Sequence, residues 1–250
     1  MGTLRGKSAI VMGASSGVGK ATARTLAADG VRVTAVARNR DRLRALRTET
    51  PEPVDIVEAD VSDPSVAARL LGEIRPDLVV LAAGVQPKMG PLDELSWEEF
   101  SAAWNSDLKA AFHLLRTAFS LPLRPGSTVV LVSSGAAING SYLSGGYAGA
   151  KRMQWFLAGY AQRLSDSRKL GIRTLAVLPT QLIEGTTIAA AASSTYGAAL
   201  GISARQYMDR FDILLDTQMV ADAIASALRG EIADGVIAIG VSGRGVEPMK

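Results

Sequence analysis

Short runs of apolar, largely β-branched residues alternate along this chain with longer stretches in which apolar positions recur every three or four residues. The first pattern is that of strands and the second that of amphipathic helices. Their regular alternation predicts a parallel sheet covered by helices. Strands are predicted at Ser8–Met12, Val31–Ala37, Val54–Glu58, Leu78–Leu81, Thr128–Val132, Arg173–Leu178 and Val236–Ile239. Several are near-continuous Val, Ile, Leu and Ala, as strands buried on both faces require. The expected architecture is therefore α/β, a doubly wound parallel sheet of about seven strands with helices on both faces.

Helix signals fill the gaps. An amphipathic stretch leads from the glycine-rich turn after the first strand to Ala28, and Ser96 with Glu99 makes a capping box opening a helix toward Phe119. Tyr147–Leu164 reads as helix, and Asp216 or Thr217 opens another that ends near Gly230. No repeat or linker-like break divides residues 1–250, so one domain is expected. Thr186–Tyr207 stands out because it is dense in Ala, Ser, Gly and Thr. Such small residues pack weakly, which suggests a mobile flap over a site; an ordinary surface helix fits the composition equally well.

Composition narrows the chemistry. Of 250 residues, 48% are hydrophobic and 20% charged, which excludes disorder. There are no cysteines, so disulfides, thiolate nucleophiles and cysteine-ligated metals are excluded; the single histidine, His113, excludes a multi-histidine metal cluster. No metal site is expected. The net charge of +3 is too small to argue for nucleic acid, and no stretch approaches a membrane span. No apolar signal core precedes Ser8, Gly6 breaks a myristoylation motif, and prenylation lacks its cysteine, so a cytoplasmic protein is expected.

In an open parallel sheet, ligands bind beyond the carboxyl ends of the strands. Gly13, Arg38, Asp60, Gly84, Ser134 and Pro179 each follow or end a predicted strand. The run Gly13-Ala14-Ser15-Ser16-Gly17-Val18-Gly19 joins a strand to a helix, whose free N–H groups and positive dipole end suit a pyrophosphate. Strand two ends Ala35-Val36-Ala37-Arg38, without the acid that would hold the ribose hydroxyls of NAD. A guanidinium there pairs with a 2′-phosphate through two charge-assisted hydrogen bonds, so Arg38 points to NADP(H) over NAD(H). The alternative is that Arg38, with Arg40, Arg42, Arg44 and Arg47, only coats an exposed helix. Tyr147 and Lys151 stand four apart and so share one helix face. A free phenol titrates near 10, and a neighbouring ammonium favours its phenolate.

The GxxxGxG spacing, Asp60-Val61, Ala83-Gly84, Ser134 and Tyr147-x-x-x-Lys151 together resemble the short-chain dehydrogenase/reductase family, in its compact single-domain, Rossmann-type branch, over essentially the whole chain. The resemblance implies that Ser134 hydrogen-bonds a substrate carbonyl oxygen and that Tyr147 donates its proton. It implies that Lys151 holds the nicotinamide ribose and tunes Tyr147. It places Gly13, Ser15, Ser16, Gly17, Val18, Gly19, Asp60, Val61, Ala83, Gly84, Pro179 and Thr186 (or Thr187) around the coenzyme, with Asp60 at the adenine edge or, alternatively, capping a helix beside Ser62 and Asp63. It implies a carbonyl or secondary-alcohol substrate and a homo-oligomer, tetramer or dimer. Departures are Met12 for a threonine, Leu81-Ala82-Ala83-Gly84 for Asn-Asn-Ala-Gly, and Pro179-Thr180 for Pro-Gly. The family's active-site asparagine, implied to hold a water through its backbone carbonyl, aligns with Asp107; a two-residue shift brings in Asn105 instead. A sensor that binds NADP(H) without turnover is the competing reading, supported by Asp107 and the lost asparagines and opposed by the intact Ser134, Tyr147 and Lys151. His113 reads as a packing or surface residue, Trp155 and Phe156 as packing against the core or a subunit neighbour, and Tyr142 as a loop aromatic without a role, the alternative being that it lines the substrate pocket.

Overall fold

The computed structural model describes residues 3–249; Met1, Gly2 and Lys250, part of the expected domain, lie outside the described residues. Eight strands form one sheet: β1 Ser8–Met12, β2 Arg32–Ala37, β3 Val54–Glu58, β4 Leu78–Leu81, β5 Thr128–Val132, β6 Arg173–Pro179, β7 Ala238–Ser242 and β8 Gly245–Pro248. Their order is β3-β2-β1-β4-β5-β6-β7-β8. All neighbours are parallel except the last pair, where β8 folds back antiparallel on β7.

The seventh strand starts two residues later than the apolar run suggests, at Ala238, and reaches Ser242. The eighth has no counterpart among the strands that the sequence predicts. Its four residues, Gly-Val-Glu-Pro, are all exposed and lack the apolar pattern of a buried strand.

Helices α1 Gly17–Ala28, α2 Arg40–Glu49 and α3 Pro64–Ile74 join the first four strands. Between β4 and β5 come α4 Trp97–Ala103, a π-helical turn Trp104–Leu108 and α5 Lys109–Ser120. Then follow α6 Ala136–Asn139, α7 Gly145–Ser167, α8 Thr187–Ala199, α9 Ala204–Met208 and α10 Thr217–Leu228. Strand side chains alternate between two cores, as the two-residue period dictates. Ala9, Val11, Val33 and Val80 pack under α1 and α10, through Leu26, Ile224 and Leu228. Ile10, Met12, Val79 and Leu131 face α3, α5 and α7, through Leu70, Leu114 and Trp155.

The caps follow their sequence signatures. Ser96 Oγ accepts from Glu99 N (3.2 Å) and Glu99 accepts from Ser96 N (3.0 Å), and Asp216 accepts from Met219 N at the start of α10. The Thr186–Tyr207 segment is mostly helical, as α8 and most of α9, with a turn at 200–203 between them. No helix among the described residues is long and apolar enough to cross a membrane.

Candidate active site at the carboxyl edge of the sheet

The loop after β1 leaves the strand at Gly13 with φ +89°, which favours glycine. A Cβ there would lie 2.5 Å from the Ala83 nitrogen, so the turn packs directly on the strand end before Gly84. Ser16 sits at the N-cap of α1 but makes no side-chain capping bond. The first N–H groups of a twelve-residue helix are therefore open to an acceptor, as an anion site needs. Arg38 is exposed beyond β2, and among the described residues no carboxylate lies within 4.0 Å of its guanidinium, whereas Arg40 and Arg44 reach Glu58 and Asp41.

Asp60 and its neighbours divide two tasks. The Asp60 carboxylate accepts from the Ser62 N–H (2.9 Å) and hydroxyl (2.8 Å). Those bonds, helped by the Arg38 charge, hold it below the usual carboxylate range. The helix cap is Asp63, which accepts from Ser65 N at the start of α3. Val61 and Ala83 are half-buried beside these turns.

Tyr147 and Lys151 sit on the buried face of α7, 8% and 5% exposed. The Lys151 ammonium lies 5.6 Å from the Tyr147 ring centroid, 2.9 Å from Asp107 Oδ2 and 3.4 Å from the Val132 carbonyl it donates to. Burial pulls that ammonium down, but the Asp107 carboxylate and the Tyr147 phenol outweigh it and hold Lys151 above its ordinary value. Lys151 therefore stays charged through neutral pH. Ser133 Oγ donates to the Lys151 carbonyl at 2.7 Å, tying α7 to the end of β5. The next residue, Ser134, is half-exposed at that strand end, and its Oγ accepts from Ala136 N at 3.2 Å.

Asp107 reaches this cluster because of the π turn. Widening the helix by one residue re-aims a side chain, a device common at functional sites. Trp104 anchors the turn by donating its indole N–H to the Gly146 carbonyl on α7 (2.9 Å). Asp107, 1% exposed, accepts from Val85 N on Oδ1 at 2.9 Å, and among the described residues Oδ2 has no partner other than the ammonium. A Cβ on Gly84 would meet Oδ2 at 2.7 Å, so the glycine leaves room for the carboxylate. Asn105, the alternative, is exposed and turns back to Ser101 Oγ.

The main-chain carbonyl of Asp107, expected from the resemblance to hold a water, accepts from Gln154 Nε2 at 3.0 Å. The sequence reading missed Gln154, Ser133 and Trp104. For Gln154 there was a signal: a polar residue one turn past Lys151 on the face that also carries Ala158 and Ala161.

Pro179 ends β6, where its carbonyl accepts from Gly135 N (2.6 Å). Thr186 caps α8 through Ala189 N, and its methyl lies 3.9 Å from where a Gly17 side chain would begin. With Thr187, Ser193, Arg205 and Met208 it lines a cavity of about 320 Å³. The Tyr196 hydroxyl on α8 is 3.0 Å from Ser141 Oγ, joining the small-residue segment to the loop between α6 and α7. Tyr142 beside it is 73% exposed, Phe156 is 43% exposed and Trp155 belongs to the core. Among the described residues no cluster of three His, Cys, Asp or Glu could hold a metal.

Known proteins share this plan. A short chain dehydrogenase/reductase of Aspergillus aculeatus is 33% identical over 153 residues, 58% of this chain and 54% of its own. The chain thus spans about half the length of that relative. An NADPH-dependent pterin aldehyde reductase of Arabidopsis thaliana is 28% identical over 69% of this chain and 74% of its own. Among solved structures, actinorhodin polyketide ketoreductase with NADPH superposes with a TM-score of 0.78 at 24% identity, over 97% of this chain and 98% of that one, a likeness of fold. The short chain dehydrogenase family model matches residues 7–196, and this chain belongs to that family.

Proposed function

We propose that the protein is an NADP(H)-dependent oxidoreductase that moves hydride between nicotinamide and a carbonyl or secondary alcohol, with Tyr147 as general acid and base. The observation that carries this reading is the buried Lys151 ammonium, 5.6 Å from the Tyr147 ring at the carboxyl edge of the sheet. The residues present fit a dinucleotide: a helix start without a side-chain cap for the pyrophosphate, glycine clearance at Gly13, and an exposed Arg38 guanidinium for a 2′-phosphate. The NADPH-dependent Arabidopsis relative supports the same choice. When bound, the nicotinamide supplies or takes up the hydride.

The remaining chemistry belongs to side chains. Ser134 donates a hydrogen bond to the substrate oxygen, and Tyr147 passes it a proton as negative charge builds there. Lys151 stabilises the phenolate left behind and holds the coenzyme ribose. Asp107 keeps that ammonium in place, and Asp60, Val61, Thr186 and the Ser15–Gly19 turn line the coenzyme cleft. The exposed rings of Phe112, Phe156 and Tyr160 along α5 and α7, beside a groove of about 300 Å³, support a homo-oligomer, which sedimentation tests. Following NADPH absorbance against a panel of ketones, aldehydes and diketones tests the activity. Oxidation of NADPH with one class is expected, and none with any would overturn the reading.

A further inference from the structure

Gln154 is buried to 1% exposure on a helix face where an apolar side chain would pack more cheaply. Its amide is half used: Nε2 donates to the Asp107 carbonyl at 3.0 Å, while Oε1 is buried and finds no donor among the described residues. The single bond it makes falls on the main chain of the π turn, where the wider i→i+5 spacing disturbs the regular carbonyl ladder. Asp107 is thereby held from three sides: Val85 N on Oδ1, the Lys151 ammonium on Oδ2 and Gln154 on the backbone.

We propose that Gln154 is a positioning residue for proton transfer: its amide fixes the π turn so that the Asp107 carboxylate stays against the Lys151 ammonium, and through that pair it sets the pH range in which Tyr147 releases its proton. The inference rests on Tyr147 being the proton donor. A carboxylate held against the ammonium offsets part of that ammonium's pull on the phenol. Loosening the turn weakens the offset, so the phenol ionises at lower pH.

Other charges facing this cluster are few. On α7 itself, Arg152 donates to the Ala137 carbonyl and lies over Trp155 and Phe156. Neither β5 nor α6 carries a titratable side chain. Glu98 and Glu99 on α4 are exposed, as are Lys109 and Arg116 on α5, where His113 is half-buried. Arg173 on β6 donates to the Ile232 carbonyl. Asp107 is thus the carboxylate in contact with the Lys151 ammonium.

The test titrates Tyr147 directly and needs no substrate. Phenolate absorbance is followed against pH, and the Tyr147→Phe counterpart of each protein is subtracted. Asp107→Asn should lower the midpoint by about one pH unit, and Gln154→Met by roughly half a unit. In the Asp107→Asn background, Gln154→Met should add no further shift, because the carboxylate through which it acts is gone. An unchanged midpoint in Gln154→Met, or a full shift that persists without Asp107, overturns the proposal. If Gln154→Met does not fold, Gln154→Asn withdraws the amide by one methylene and must shift the midpoint the same way, or the proposal fails. A protein that oxidises NADPH but whose midpoint ignores Gln154 refutes this inference alone. A midpoint that responds in a protein without turnover on any carbonyl refutes the proposed activity alone.

Discussion

Replacing Lys151 with methionine keeps the stem and removes the charge, leaving the Asp107 carboxylate buried without a counter-ion. The two side chains are 6% and 0% exposed and 2.9 Å apart, so water cannot take the missing partner's place. Breaking such a buried pair from one side costs about 3–5 kcal/mol, because the surviving charge is stranded. For a chain of this size each kcal/mol lowers the melting temperature by roughly 2–4 °C, giving a drop of about 6–20 °C. Urea unfolding at pH 7, with a thermal melt alongside, reads both numbers. The double variant Lys151→Met with Asp107→Asn should recover most of the loss, since no charge remains to strand.

The pH dependence has a definite sign. Lys151 is held above its ordinary value of 10.5, so the stability that comes from its own raised value is fully present near neutral pH and is lost as pH rises through that raised value. A single variant within about 1 kcal/mol of wild type, or a double variant no more stable than the single, would refute the reasoning.

Other substitutions separate the remaining roles. Tyr147→Phe should lower kcat about 10²–10⁴-fold while NADPH affinity, measured by fluorescence titration, stays within about twofold. Arg38→Ala should weaken NADPH binding about 10–100-fold and leave NADH binding nearly unchanged, the loss of charge-assisted bonds to one phosphate; equal losses for both coenzymes would refute selection by Arg38. Gly84→Ala should cost about 1–3 kcal/mol in urea unfolding, because the new methyl must displace the Asp107 carboxylate. Unchanged stability would mean that the carboxylate moves aside freely.

The strands β1, β3, β4 and β5 could be placed to the residue because each is a short run rich in Val, Ile or Leu that begins just after a charged, Pro or Ser residue (Lys7, Pro53, Asp77 and Ser127). The end of the sheet could not. β8 is too short and polar to carry a strand signature, and β7 shifts because pairing with β6 and β8 rather than its own composition fixes its limits. Among the candidate site residues, Tyr147 and Lys151 declare themselves by a four-residue spacing that any helix converts into proximity. Asp107 was legible only by alignment, since a regular 3.6-residue helix does not say whether it or Asn105 faces inward; the π turn decides that through tertiary contacts. Gln154 shows the general limit. A polar residue on an apolar face announces a buried partner, but the partner, a main-chain carbonyl forty-seven residues away, has no sequence identity to search for.

The crossing of the chain at β1 and β4 has a consequence for finding ligands. Ala9 pairs with Leu78 across sixty-nine residues, and a four-rung ladder between those strands joins the half of the sheet bearing Gly13 and Arg38 to the half bearing Ser134 and Pro179. A molecule gripped from both sides of that seam acts as a brace across it, and its binding energy appears as resistance to heat. At a hundredfold excess over Kd the gain is about 2.7 kcal/mol, or a rise of roughly 5–11 °C. Nucleotides and carbonyl compounds can therefore be ranked by melting temperature alone, before any turnover has been detected.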